Sequence, residues 1–248
     1  MTVRELSHVE LYTKDKIPPV HHLVSALGYE RVADSVGVDR SSVLLDRGDI
    51  RLVVTSGWAT RGFVSRYGEG IADIAVLCDD VATIRDAALA AGATVTYSAQ
   101  GDPVLSGIGE VVHTLLPLAG QDPRALPSGR AWVPSAGRPE PAERGDALDC
   151  FVLHLDPDVL ERYAGFCVDV LGFAGPAPTD LTAGGRTVTG LAVYGASGRV
   201  AFALVARDGV LPEWPDVLDG GHAVPTGPDF ARHRTGETPL RRSSKALR

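Results

Sequence analysis

The side chains able to do chemistry stand at a few spaced points. In "SHVELYT" His8, Glu10 and Tyr12 fall at every second residue, so a strand there would carry an imidazole, a carboxylate and a phenol on one face. Asp73 stands in "IADIAV", and His113 and Thr114 are adjacent in "VVHTLLP". Neighbours on a strand point to opposite faces, so only one of His113 and Thr114 can join such a set. Further on, "LDCFVLHL" holds Cys150 and His154, and "GGHAV" holds His222. A thiolate can ligate a metal ion, while a cysteine in an apolar strand is also a small buried hydrophobe. His154 shares a face with Cys150 but lies about 13 Å along the strand, too far to replace it at one ion.

The elements that must position these residues repeat. Residues 6–13 read as a strand, 18–28 as a helix opened by prolines and closed by Gly28, and 41–57 as a hairpin around "DRGD". The series recurs as strand 70–80, amphipathic helix 81–93 and strand 109–118. It recurs again from Leu148, with helix 157–172 and hairpin 189–206. The landmarks "SALGYE" and "DVLGFA" follow His8 and Cys150 at nearly constant offset, the mark of an internal repeat. Residues 119–146 are rich in Pro, Gly and Ala and read as a linker; 231–248 read as a basic, disordered tail.

Composition narrows the partners. The 248-residue chain is 44% hydrophobic with a net charge of −7, ordinary for a globular protein and unfavourable for nucleic acid or an anionic membrane surface. Three cysteines without CxxC spacing suggest neither a disulfide framework nor a zinc ribbon. Without a signal-like start or an apolar run near the membrane-spanning length, the expected location is the cytoplasm. GxGxxG after a strand, Walker, GxSxG and HExxH patterns are lacking.

The segments "SHVELYT" with "ALGYE", "VLLDRGDIRLVVTSG", "GEGIADIAVLCDDV", "VVHTLLP", "LDCFVLHL" with "YAGFCVDVLGF", and "GASGRVAF" resemble, in this order, the vicinal oxygen chelate superfamily. Within it they are most similar to the 4-hydroxyphenylpyruvate dioxygenase and hydroxymandelate synthase family. The resemblance implies an α+β fold of repeated βαβββ modules. One complete half-open barrel would span 1–118, followed by the linker and a second, incomplete barrel over 147–230.

In that family two histidines and a glutamate of the second barrel hold Fe(II), leaving positions open for a 2-oxo acid and O₂. Carried over, the first ligand position falls on Cys150, where the family has histidine, and the second on His222. The third has no counterpart; the nearest later glutamate is Glu237. The first barrel's interior would be lined by His8, Glu10, Tyr12, Asp73 and Thr114, a candidate ligand pocket. His8, Asp73 and His113 would make a metal set there only if all three faced inward.

Three functions follow from the resemblance. The first is a binder of a small aromatic or 2-oxo-acid-like ligand, with an incomplete iron site and no family-type turnover. The second is an active Fe(II) dioxygenase, and the third a metalloenzyme using the first barrel. Open strand edges in the incomplete barrel imply a homo-oligomer.

Overall fold

The structure, a computed structural model, describes residues 3–47, 50–120, 122, 125–136, 149–183, 186–195 and 200–206. The first unit comprises β1 (Val3–Thr13), α1 (Ile17–Ser25), β2 (Glu30–Val36), β3 (Arg40–Arg47) and β4 (Ile50–Gly57). A 3-10 turn (Trp58–Thr60) and α2 (Arg61–Tyr67) lead to β5 (Gly70–Cys78), α3 (Val81–Ala90), β6 (Thr94–Tyr97), β7 (Pro103–Ser106) and β8 (His113–Pro117). A short β9 (Trp132–Pro134) precedes the third unit, β10 (Asp149–Leu155), α4 (Pro157–Asp169), β11 (Ala174–Ala183), β12 (Arg186–Tyr194) and β13 (Val200–Ala206).

All three units share one connectivity. Within each, the first strand pairs in parallel with the last, and the order continues back to the second: β1-β4-β3-β2, β5-β8-β7-β6 and β10-β13-β12-β11. The first two units fuse because β1 and β5 pair antiparallel along most of their length, and β9 completes a nine-stranded sheet. β10 holds the place in its unit that β1 and β5 hold in theirs, and among the described residues it pairs only with β13.

The local sequence accounts for the helices. Prolines sit in the first turn of α1 and α4, where a missing N–H costs nothing. Asp80 caps α3 by accepting from Thr83 N at 3.1 Å. Each helix buries one stripe: Pro19 and Leu23 on α1, Ile84 and Ala88 on α3, Tyr163, Phe166 and Cys167 on α4. These stripes cover one face of the sheets, where Val9, Leu11, Val54, Ile74, Val76 and Leu115 join the core.

That core runs on without a break into Phe151, Leu153, Leu155, Phe173 and Phe202 of the third unit. Polar contacts reinforce the junction. Val3 N donates to Leu171 O at 3.1 Å, Arg162 Nη2 donates to Ile108 O at 2.8 Å, and the Tyr163 hydroxyl meets His113 Nε2 at 2.7 Å.

Segment 119–146, expected to be a linker, also carries structure. β9 extends the large sheet by pairing with β2, and Leu126 and Trp132 pack on Val32, Ala33, Leu44 and Val53. The Trp132 indole N–H donates to Pro127 O at 2.7 Å, and Arg51 Nη1 donates to Ala125 O at 2.7 Å. The basic tail, residues 231–248, lies outside the described residues. No helix among the described residues is long and apolar enough to cross a membrane.

Candidate functional site

The site lies on the sheet face turned away from the helices, at the β1–β5 seam. Register places Glu10 opposite Asp73 and His8 opposite Ala75, and opposed residues point to the same side. On the first unit's side, Ser42 and Thr55 face each other across the β3–β4 hairpin and share a 2.9 Å hydrogen bond. Thr55 Oγ1 in turn donates to Glu10 Oε1 at 2.7 Å. On the second unit's side, Asp73 accepts from Thr114 N at 3.1 Å and from Thr114 Oγ1 at 2.7 Å.

Charge enters this interior from the intervening segment. The Arg130 guanidinium donates to Glu10 Oε1, the carboxylate buried and the arginine side chain 10% exposed. Its Cζ also sits 5.8 Å from the Trp132 ring centroid, so the tryptophan that seals the segment helps aim the arginine. The Arg130 Nε is buried with no hydrogen-bond partner among the described residues. Nearby, Arg51 pairs with Asp46 at 3.2 Å.

Burial and these cations set protonation. His8 is 8% exposed, bonded through Nδ1 to Ser7 Oγ at 3.1 Å. Burial first, then the fields of Arg130 and Arg51, push its pKa down to about 3, so the ring is neutral at pH 7. Burial raises Asp73 to about 7 despite the Thr114 hydrogen bonds, with Glu10 adding to the rise. Tyr12 is pushed up to about 12 by burial and by Glu10, and packs edge-on to Phe63 at 5.5 Å. The interior therefore holds a neutral imidazole, a neutral phenol, a readily protonated carboxyl and one ion pair.

The sequence marked His8, Glu10, Tyr12, Asp73 and Thr114 as candidates for the first barrel's interior; the structure sets Glu10 opposite Asp73 and bonds Asp73 to Thr114. Sequence reasoning missed Arg130, Ser42 and Thr55. Ser42 and Thr55 carried a signal, since hairpin register makes them partners; Arg130 carried none, because nothing in a Pro- and Gly-rich stretch marks one arginine as buried. His113 is directed to the opposite face, among Tyr163, Phe166 and Phe202. Burial lowers its pKa to about 4. A set of His8, Asp73 and His113 is thus not assembled.

Solved structures similar to this chain include the following two. A triple mutant of 4-hydroxymandelate synthase from Streptomyces coelicolor matches with a TM-score of 0.66 and 29% identity, over 84% of this chain and 64% of the synthase. A xylose isomerase-like TIM barrel/4-hydroxyphenylpyruvate dioxygenase fusion protein matches with a TM-score of 0.62 and 15% identity, over 84% of this chain and 33% of that one. The fold is hydroxyphenylpyruvate dioxygenase-like. No family model matches the sequence. The chain spans less than two thirds of the synthase's length.

The residues at the β1–β5 seam do not suit an iron ion. A guanidinium already neutralises Glu10, and among the described residues no three His, Cys, Asp or Glu side chains group as a ligand set. Of the second-barrel candidates, Cys150 lies on β10 opposite Ala201. Its side chain and all of His222 and Glu237 fall outside the described residues. Cys78 and Cys167 are buried, and burial pushes the Cys78 thiol up to about 12 and the Cys167 thiol higher still, which leaves both unreactive.

Proposed function

We propose that this protein binds a small aromatic or 2-oxo-acid-like ligand on a hydroxyphenylpyruvate dioxygenase-like fold, without the turnover of that family. One complete half-open barrel over residues 1–118 and a partial second barrel over 147–230 form the frame, and 119–146 joins them. The interior of the first barrel, lined by His8, Glu10, Tyr12, Asp73 and Thr114, is the ligand pocket.

The observation that supports this reading is the buried Glu10–Arg130 pair. A site for a divalent cation leaves its carboxylates to the metal; here the protein supplies its own cation. The spare Arg130 Nε is suited to an incoming carboxylate, to which a guanidinium can offer more than one N–H. Neutral His8 and Tyr12 suit hydrogen bonding to a carbonyl or phenol oxygen without adding charge.

The test is isothermal calorimetry of metal-free protein against a panel of aromatic 2-oxo acids. Saturable binding that weakens in Arg130→Lys and is lost in Arg130→Met supports the reading, and a flat titration across the panel ends it.

A second reading is an active Fe(II) dioxygenase acting on an aromatic 2-oxo acid, with Cys150 and His222 as iron ligands. The likeness to hydroxymandelate synthase favours it. Stoichiometric iron in the purified protein, lost on His222→Ala, would establish that reading in place of the first; protein without iron at any loading would remove it.

A further inference from the structure

Where β4 ends, the chain leaves the large sheet through Gly57 at φ 135°. A Cβ there would lie 2.5 Å from Asp39 O, so only glycine allows the turn. The turn delivers Trp58 to the surface, 71% exposed. The indole is held in place, since the Arg61 guanidinium stacks over it at 3.6 Å from the ring centroid.

Trp58 and Arg61 border a cleft of about 520 Å³ whose other walls are Thr13, Lys14, Thr60, Val64 and Ser65, within the usual size of small-molecule sites. Three features of this cleft point to one ligand chemistry. Its walls carry two cations, Lys14 and Arg61, and a carboxylate bonded to them, the buried Glu69, accepts from Lys14 N at 2.6 Å. The buried Thr13 hydroxyl, on a residue 2% exposed, has no hydrogen-bond partner among the described residues. The floor is fixed, because Thr60 Oγ1 donates to Gly57 O at 3.1 Å and also lies 3.4 Å from Thr13 O.

We infer that this cleft binds a small planar aromatic anion, an aryl carboxylate, at a site separate from the β1–β5 seam. The carboxylate lies against the Arg61 fork, which stacking on Trp58 holds ready for paired hydrogen bonds, with Lys14 adding charge. The ring packs against Trp58 and Val64, where a flat face finds aromatic and apolar surface. Thr13 gives its hydroxyl to a polar substituent of the ligand. The inference stands on other residues than the proposed interior pocket, so either can fail without the other.

The experiment is tryptophan fluorescence and calorimetry of the full chain titrated with 4-hydroxybenzoate, against cyclohexanecarboxylate as a non-planar anion and benzyl alcohol as a neutral aromatic. Saturable binding of 4-hydroxybenzoate is expected, with Arg61→Gln and Trp58→Leu each weakening it by about tenfold or more at unchanged melting temperature. Thr13→Val should weaken 4-hydroxybenzoate and leave benzoate unaffected, a difference that a folding defect would not produce. Binding that survives Arg61→Gln and Trp58→Leu but falls in Arg130→Met would place the ligand in the interior and overturn this inference, leaving the earlier reading intact. Absence of saturation with 4-hydroxybenzoate, or equal affinity for the neutral alcohol, would also overturn it.

Discussion

Arg130 and Glu10 hold one another at the centre of a buried polar interior, and each depends on the other for being tolerated there. Replacing Arg130 by Met leaves a carboxylate buried without its counter-ion, a change that typically costs about 3–5 kcal/mol. Chemical denaturation should show a loss of that order, and Glu10→Gln added to Arg130→Met should restore part of it. Equal stability of the two variants would show that the pair is not coupled. Protonation supplies a second prediction. The depressed His8 and His113 favour the neutral ring in the folded state, so their stabilisation is present above pH 6.5 and is lost as pH falls towards 3 and 4. Asp73 acts in the opposite sense: its pKa is raised from 3.8 to about 7, so its share is full in acid and is lost as pH rises through that window. Stability should therefore climb less steeply between pH 4 and 6.5 than two histidines alone would give. Asp73→Asn should steepen that climb and flatten the decline from 6.5 to 7, as read from unfolding midpoints across pH. Coincident profiles would show that Asp73 is not buried as a neutral acid.

Among the elements, β8 and α4 meet through one buried polar contact. His113 on β8 accepts or donates to the Tyr163 hydroxyl at 2.7 Å inside an aromatic cluster that includes Phe166 and Phe202. Tyr163→Phe keeps the ring and removes the hydroxyl, leaving the His113 nitrogen unpaired at a cost of about 1–3 kcal/mol. Since α4 carries the third unit onto the second, that loss should appear in denaturation and in faster protease cleavage between the units. A variant as resistant as the parent would mean the docking is wholly apolar. Within the third unit, β12 passes so close to β13 at Gly190 that an added Cβ would fall 2.2 Å from Leu204 O. Gly190→Ala should force the two strands apart and lower the melting temperature, whereas Thr189→Ala, on an exposed neighbour, should change it little.

For the whole molecule, the chain repeats one unit three times but fuses only two of them. β1 and β5 satisfy each other's edges, and β10 pairs on one side alone among the described residues. Among the described residues the third unit is held to the first two by the continuous core, through Phe151, Leu153, Leu155 and Phe202, and not by strand pairing. The homo-oligomer that the sequence suggests is a proposal that sedimentation tests; a monomer at every concentration removes it.

The sequence alone determined the periodicity. Alternation in "SHVELYT", prolines opening two helices and the recurrence of "ALGYE" as "VLGFA" each arise from local backbone and side-chain preferences, so the strands β1, β5 and β10 and the helices α1, α3 and α4 were legible. The short strands were not: β6, β7 and β9 lack enough residues to show a period, and their pairing comes from neighbours. Asp73 and Thr114 were legible only through the family resemblance, which sets both at or near ligand positions of the first barrel. Arg130 was not legible, because its burial depends on the fold bringing β9 alongside β2 more than ninety positions away. Tertiary structure likewise decided His113, which the fold spends on Tyr163. It also decided the outward turn at Gly57 that sets Trp58 beside Arg61. Local preference writes elements into a sequence; the meeting of charges from distant segments is decided only when the whole chain has packed.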